Sequence, residues 1–310
     1  MNESKYESIA SFVRRLLEQR AQVGGAELPS EYWQDFVSHF AYVFALPAPE
    51  LRRIRFHSYH LTSDIYQRYY FADAGFRELL LRGQAHFAAR LGGFYLEEGE
   101  RGIGVSGEHG RVSHDLLRYM GVLVDLYEAG ALRRESAHRV LELGGGYGGL
   151  ARALCSFAPR TRYVICDLEE TLFFSGVYLS NEFGADHVHL LEGERQLAEL
   201  GEGDVALGGQ VRFSLLADQD WDLVINQQSM QEMTAAQVSR YLEYIAQRAG
   251  LFYTCNLQSH GELAEQKGIV SDLDALFDER LGAPVWVSEA PAPHEQFGDN
   301  VLQRKLYRCR

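Results

Sequence analysis

Val140-Leu141-Glu142-Leu143-Gly144-Gly145-Gly146-Tyr147-Gly148-Gly149-Leu150 decides the fold of this chain, together with Arg162-Tyr163-Val164-Ile165-Cys166-Asp167 just downstream. An apolar run carrying an acidic residue meets glycine at alternate positions, then a helix-like run from Leu150 to Phe157. A second apolar run follows and closes on Asp167. The pattern is strand, glycine turn, helix and strand ending in a carboxylate, the ligand-binding corner of a doubly wound α/β sheet. Glycine at 144, 146 and 148 permits positive φ and close approach of a ligand to the backbone. The helix that follows aims free N–H groups at whatever sits over the turn. Asp167, at the end of the second strand, can accept two hydrogen bonds from a ribose diol.

Two cofactor types suit such a corner. The dinucleotide pattern Gly-x-Gly-x-x-Gly also fits, as Gly144-x-Gly146-x-x-Gly149, so spacing alone leaves both open. Glu142 favours the other. A carboxylate before the turn repels a pyrophosphate and suits a cationic ligand. S-adenosylmethionine carries a sulfonium and an α-ammonium group and no phosphate.

Here the chain resembles the class I S-adenosylmethionine-dependent methyltransferases, from about Arg139 to the C-terminus. Leu141 to Gly148 is similar to their first motif, Asp167 to their ribose acid, and Trp221-Asp222-Leu223-Val224-Ile225-Asn226 to their fourth strand. Asn226-Gln227-Gln228-Ser229-Met230-Gln231-Glu232-Met233, with Asp167-Leu168-Glu169-Glu170-Thr171-Leu172, further resembles the sugar O-methyltransferases of bacterial polysaccharide and natural-product pathways. That family usually has Pro where this chain has Glu169. The resemblance implies a Rossmann-like, mostly parallel sheet closed by a C-terminal antiparallel hairpin. It implies S-adenosylmethionine as cofactor, bound by Glu142, Gly144, Gly146, Gly148, Asp167, Leu168 and Asn226. The reaction it implies is O-methylation of a sugar or glycosylated small molecule. N- or C-methylation of a non-sugar metabolite, a nicotinamide-dependent sugar enzyme and a non-catalytic, methyltransferase-like partner protein are the rivals. A Tyr-x-x-x-Lys pair, which the nicotinamide enzyme would need, is absent from the sequence.

Composition narrows the partners. At 310 residues the chain holds one large or two modest domains, and 46% hydrophobic residues is ordinary for a globular protein. Against 30 Lys+Arg stand 43 Asp+Glu, a formal net charge of −13. That argues against nucleic acid or an anionic membrane surface as partner. A small-molecule acceptor is expected, and a homodimer is compatible with the sequence. The 4 cysteines are scattered without a Cys-x-x-Cys pair, as in a reduced, cytoplasmic protein. The charged N-terminus reads as no secretory signal, and no apolar run approaches the ~20 residues that span a bilayer.

Residues 1–130 read as a helical substrate-recognition domain and 131–310 as the cofactor-binding domain. Apolar spacing predicts helices over Tyr6 to Gln19, after Pro29-Ser30, from about Phe71 to Leu91, and from His114 to Ala129 with Ser113 as N-cap. Further on, strands are expected at Val140–Leu143, Tyr163–Asp167, Val188–Leu191, Leu223–Asn226 and Leu251–Asn256. Helices are expected at Leu150–Phe157, Leu172–Phe183 and Ala235–Ala249, and one near Val270–Arg280. Glu192 to Gly209 reads as a polar insertion and Val211–Leu216 as a strand. Val285-Trp286-Val287 and Val301–Tyr307 read as paired strands.

In an open parallel sheet, ligands bind beyond the carboxyl ends of the strands. That gathers the glycine turn, Asp167, Asn226 to Glu232 and Asn256 to His260 around one crevice. A sugar hydroxyl loses its proton as it attacks the methyl group, so a general base helps. Glu232 and His260 are the candidates. His57, Tyr59, His60 and Gln228 are expected to face the acceptor. His57 and His60, three apart, would share a helical face, and with Asp64 they would offer metal ligands; a hydrogen-bonded polar lid without metal is the preferred reading. Tyr59, Tyr66, Tyr69, Tyr70 and Phe71 could stack on the acceptor, though such spacing more often builds core.

Overall fold

In the computed structural model, residues 3–25, 28–62, 73–99, 101–257, 261–288, 296–297 and 300–310 are described. The glycine turn sits at the middle of a 9-stranded sheet. β1 (Val105–Gly107) and β2 (Gly110–Val112) form a separate antiparallel hairpin. The sheet contains β3 (Arg139–Leu143), β4 (Arg162–Asp167), β5 (Val188–Leu190), β6 (Val205–Gly209), β7 (Trp221–Gln227), β8 (Ala249–Leu257), β9 (Trp286–Val287), β10 (Gln296–Phe297) and β11 (Asn300–Arg308). Their order is β10-β11-β8-β7-β3-β4-β6-β5, with β9 also on β11. From β5 to β8 every pairing is parallel; β11 runs antiparallel to β8, β9 and β10. The order reverses at β3, so the crevice opens where the chain leaving β3 and the chain leaving its neighbour β7 turn to opposite faces of the sheet.

Strand periodicity sorts the core into two layers. Val140, Tyr163, Ile165, Leu223 and Ile225 point to one face, under the helices Glu3–Arg20, His114–Glu128, Gly149–Phe157 and Glu169–Phe183. Leu141, Leu143, Val164, Cys166 and Val224 point to the other, under the helices Ala235–Arg248 and Leu273–Leu281. Both faces are covered, which is why these strands read as apolar runs without alternation. The helix His114–Glu128 is capped as expected: Leu116 N–H donates to Ser113 Oγ at 3.0 Å. Thr234 and Gln237 form a reciprocal capping box that starts Ala235–Arg248. The Val285–Val287 and Val301–Tyr307 runs do pair, through Lys305↔Val287 and Leu306↔Trp286.

Two expectations are corrected. The stretch Glu192–Gly209 is not an insertion: it holds the short helix Glu194–Ala198 and β6, which lies between β4 and β5 and is buried along its whole length. Val211–Leu216 is not a strand but part of a 3₁₀ run, Gln210–Leu216. The strand was hidden because its last residues are glycines, and their role is steric. A Cβ on Gly209 would lie 2.8 Å from Leu16 Cδ1 and 3.2 Å from Glu169 Oε1. Glycine here lets two helices close over the sheet.

The helix Glu3–Arg20 lies along Glu169–Phe183 and buries Ile9, Phe12, Val13 and Leu16 completely. Its end is clamped electrostatically: Arg20 Nη1 donates to Glu169 Oε2 and Glu170 Oε2, each at 2.7 Å, and its Nη2 pairs with Glu170 Oε1. After Pro29-Ser30 the chain is α-helical only over Glu31–Val37, then 3₁₀ over Ser38–Ala45, which turns Phe40 and Val43 into the core. Among the described residues, no helix is long and apolar enough to cross a membrane.

Candidate active site

A cavity of about 280 Å³ opens at the carboxyl ends of β3, β4 and β7. Gly144, Gly145, Gly146, Glu142, Asp167, Leu168, Gln228 and Glu232 all line it. Residues from three separated stretches of sequence therefore converge where the switch in strand order placed them.

The turn is shaped by its glycines. Gly144, Gly146 and Gly148 have φ of 78°, 56° and 89°. At Gly144 a Cβ would lie 2.5 Å from Ser229 Cβ and closer still to its Oγ, so this glycine locks the turn onto the loop after β7. At Gly146 the nearest atom to a Cβ would be Leu61 O at 3.7 Å; a side chain there would occupy cavity space instead of striking protein. Gly148 stands apart. It is the left-handed N-cap of Gly149–Phe157, its Cβ position is 2.9 Å from Leu179 Cδ1, and it does not line the cavity. Its observed role is helix packing.

Asp167 braces the same turn. Its Oδ2 accepts from Gly146 N–H and its Oδ1 from Leu168 N–H, both at 2.7 Å. Each carboxylate oxygen has a second lone pair, so both bonds leave room for a diol. Burial pushes its carboxyl up to about 6, while the bonds from Leu168 and Gly146 pull it down. Glu142 lies 2% exposed beneath the turn, and Tyr163 Oη donates to its Oε2 at 2.9 Å. Burial pushes Glu142 up to about 8, the Tyr163 bond opposes this, and the charge of Asp167 adds to it. A cation entering the cavity would favour ionised Glu142.

Asn226 does not face the cavity. Its Nδ2 donates to Leu143 O at 2.7 Å and Ser229 Oγ at 2.6 Å, and its Oδ1 accepts from Met230 N–H at 3.1 Å and Asn256 Nδ2 at 2.8 Å. Those bonds use the amide's whole capacity. The residue expected to touch cofactor instead pins the loop Gln228–Glu232 to the end of β3. Gln228 does line the cavity, with φ of 54°, the one non-glycine positive φ among the described residues. Its N–H donates to Cys255 O at 2.8 Å, which holds the strained turn in place.

Glu232 is half-buried in the cavity wall. Trp33 Nε1 donates to its Oε2 at 2.9 Å, and Ser30 Oγ donates to its backbone O at 2.6 Å. Burial pushes its carboxyl up to about 8, the Trp33 bond pulls it down, and Asp167 raises it further. A carboxyl so placed is poised to take a proton near neutral pH. His260, the other candidate base, lies outside the described residues.

The acceptor-side histidines divide. His60 lines the cavity, stacked on His39 at 5.7 Å between ring centres. Burial and the neighbouring His39 lower its pKa. His57 turns away: its Nδ1 is 3.2 Å from Tyr42 Oη and its Nε2 3.5 Å from Glu50. The two occupy separate 3₁₀ turns, Ile54–His57 and Tyr59–Leu61, not one helical face. Tyr59 is 44% exposed and does not line the cavity either. Asp64, Tyr66, Tyr69, Tyr70 and Phe71 lie outside the described residues, among which no group of three His, Cys, Asp or Glu could hold a metal ion.

The sequence reading missed Ser30, Tyr32, Trp33, Arg118 and Tyr119 as cavity residues. Trp33 was read as part of an apolar stripe, and only its indole N–H hinted at a polar partner. Arg118 belongs to a buried cluster: Asp115 Oδ1 accepts from Arg118 at 3.0 Å and Asp115 Oδ2 from Arg55 at 2.9 Å. The Arg55 guanidinium lies 4.3 Å above the Tyr147 ring, so the cluster supports the glycine turn from below.

No protein-family model matches the chain, and no curated protein does. Among solved structures, the pyocyanin biosynthetic protein PhzM overlaps with a TM-score of 0.40 and 17% identity, over 63% of this chain and 57% of that one. Magnesium protoporphyrin IX methyltransferase (ChlM) from Synechocystis PCC 6803 gives 0.41 and 13%, over 63% and 80%. Precorrin-6y C5,15-methyltransferase from Geobacter metallireducens GS-15 gives 0.37 and 14%, over 60% and 87%. The chain thus spans a little over half the length of PhzM. Such overlaps are silent on chemistry. The strand order, with one antiparallel strand beside β8 and the switch point at β3, is that of a Rossmann-like, doubly wound sheet closed by an antiparallel strand.

Proposed function

We propose that this chain is an S-adenosylmethionine-dependent methyltransferase that acts on a hydroxyl of a sugar or glycosylated small molecule. The observation that carries it is the convergence of Gly144, Gly146, Asp167, Glu142 and Glu232 in one cavity. The turn fits an adenosyl cofactor on its own terms. A Cβ on Gly146 would meet nothing closer than Leu61 O at 3.7 Å, Asp167 keeps lone pairs for a diol, and Glu142 lies buried under the turn, where a cationic group would favour its ionised form.

When bound, the cofactor supplies a methyl group already activated on sulfonium. The protein's share is alignment and proton removal, with nucleophile and methyl held within about 3–3.5 Å. Gly144 and Asn226 fix the relative position of the turn and the loop carrying Glu232. Glu232 takes the acceptor's proton, held in place by Trp33. Residues 1–130 recognise the acceptor through His60 on the cavity wall, joined there by Gln228 from the loop after β7. The partner is a small molecule rather than nucleic acid or membrane, in keeping with the net charge of −13.

The deciding experiment is calorimetric titration with S-adenosylhomocysteine, with NADH run beside it. Micromolar binding of S-adenosylhomocysteine alone is expected. Binding of NADH alone would overturn both the reading of Glu142 and the function.

A further inference from the structure

The cavity has a charge that its cofactor does not explain. Among its described lining residues, Glu142, Asp167 and Glu232 face a single guanidinium, Arg118, which is held by Asp115. Glu142 and Asp167 belong to the glycine turn. Glu232 does not. It sits on the loop after β7 and is tied to the N-terminal segment through Ser30 and Trp33. Its Oε2 is bonded to Trp33, whereas Oε1 has no hydrogen-bond partner among the described residues. The aromatic rings beside it are Trp33 and Tyr32, edge to face at 6.1 Å.

A carboxylate with an open oxygen, flanked by aromatic rings, is the composition that recognises an organic cation. The same wall disfavours phosphate: its carboxyls repel an anion once ionised, and the guanidinium that lines it is already engaged by Asp115. We infer that the acceptor carries a protonated amine next to the hydroxyl that reacts, seated between Glu232 and the rings of Trp33 and Tyr32 so that Glu232 Oε1, with two lone pairs, faces both groups, and that nucleotide-diphosphate and phosphorylated sugars are excluded. The inference rests on the methyltransferase reading and narrows its acceptor to an amino sugar or a glycoside bearing one.

The test uses the full chain saturated with S-adenosylhomocysteine at pH 7. D-glucosamine, N-acetyl-D-glucosamine, D-glucose and UDP-glucose are titrated in turn by calorimetry. Glucosamine is expected to bind at least tenfold more tightly than its N-acetyl form or glucose, and UDP-glucose to give no binding heat. Glu232→Gln, which can still accept from Trp33, is expected to reduce that preference to within twofold. Equal affinity for glucosamine and its N-acetyl form, whether both bind or neither does, overturns the inference; so does tighter binding of UDP-glucose. If Glu232→Gln weakens S-adenosylmethionine but leaves the glucosamine preference intact, the carboxylate serves the sulfonium and the inference falls. Failure of S-adenosylhomocysteine to bind would instead sink the methyltransferase reading. The sugar series, repeated on the protein alone, would then still decide the charge of the ligand.

Discussion

Gly144→Ala tests whether the turn and the loop after β7 form one mechanical unit. At φ of 78° the substituted backbone enters the left-handed region, at about 1–2 kcal/mol for a residue with a Cβ. The new methyl would also overlap Ser229, whose Oγ donates to Leu143 O at 3.0 Å and accepts from Asn226 Nδ2 at 2.6 Å. Displacing Ser229 forfeits both bonds, about 1 kcal/mol each. The substitution should therefore destabilise the protein by about 3–4 kcal/mol. In a Ser229→Gly background the obstacle and its hydrogen bonds are already gone. The same substitution should then cost only the backbone share, about 1–2 kcal/mol, leaving a coupling of about 2 kcal/mol. Urea unfolding followed by tryptophan fluorescence on the four proteins of the cycle reads this directly. Strict additivity, or a single-mutant loss below about 1 kcal/mol, would refute the reasoning.

Other consequences can be checked separately. Asp167→Ala should weaken S-adenosylhomocysteine binding by about 1.5–3 kcal/mol in calorimetry, as for lost bonds to a charged group; unchanged affinity in a folded variant removes Asp167 from the site. Glu232→Gln should lower turnover by about 10²–10⁴ while the protein stays folded. Because burial pushes the Glu232 carboxyl up to about 8 and it acts as the carboxylate, wild-type turnover should rise with pH to a plateau above that value. Trp33→Phe removes a bond that lowers the Glu232 pKa, so the rising limb of the pH profile should move to higher pH; a shift to lower pH would contradict the assigned direction. Glu142 is raised to about 8 by burial, so its contribution favours folding below its unfolded pKa and is lost as pH rises toward 8. Glu142→Gln should accordingly become progressively less destabilising, or more stabilising, between pH 5 and 8 in thermal melts of the ligand-free protein.

The cofactor corner was legible because its determinants are local. A strand, a turn demanding positive φ, a helix and a second strand lie within Val140 to Asp167, and each leaves its own pattern. β6 was illegible because it ends in two glycines that a strand does not favour, of which Gly209 is required by Leu16 and Glu169, residues far away in sequence. The same distance hid the Ser30 and Trp33 bonds to Glu232, which span about 200 positions. Asn226 shows a third limit. Its place at the end of β7 was readable, but whether an amide there turns to ligand or to protein depends on Ser229 and Asn256, whose positions come from the folded loop. His57 and His60 were assigned to one face because a helix was assumed where the chain makes two tight turns divided at Ser58.

The clamp of Arg20 on Glu169 and Glu170 also bears on how the chain is made. The helix Glu3–Arg20 leaves the ribosome well before its partner, because the surface that covers Ile9, Phe12, Val13 and Leu16 lies about 150 residues later in the chain. At about 5–20 residues per second, that apolar stripe waits roughly 8–30 s for its partner. During that interval its stripe is bare, a ready handle for a holding chaperone and a ready seam for association between nascent chains.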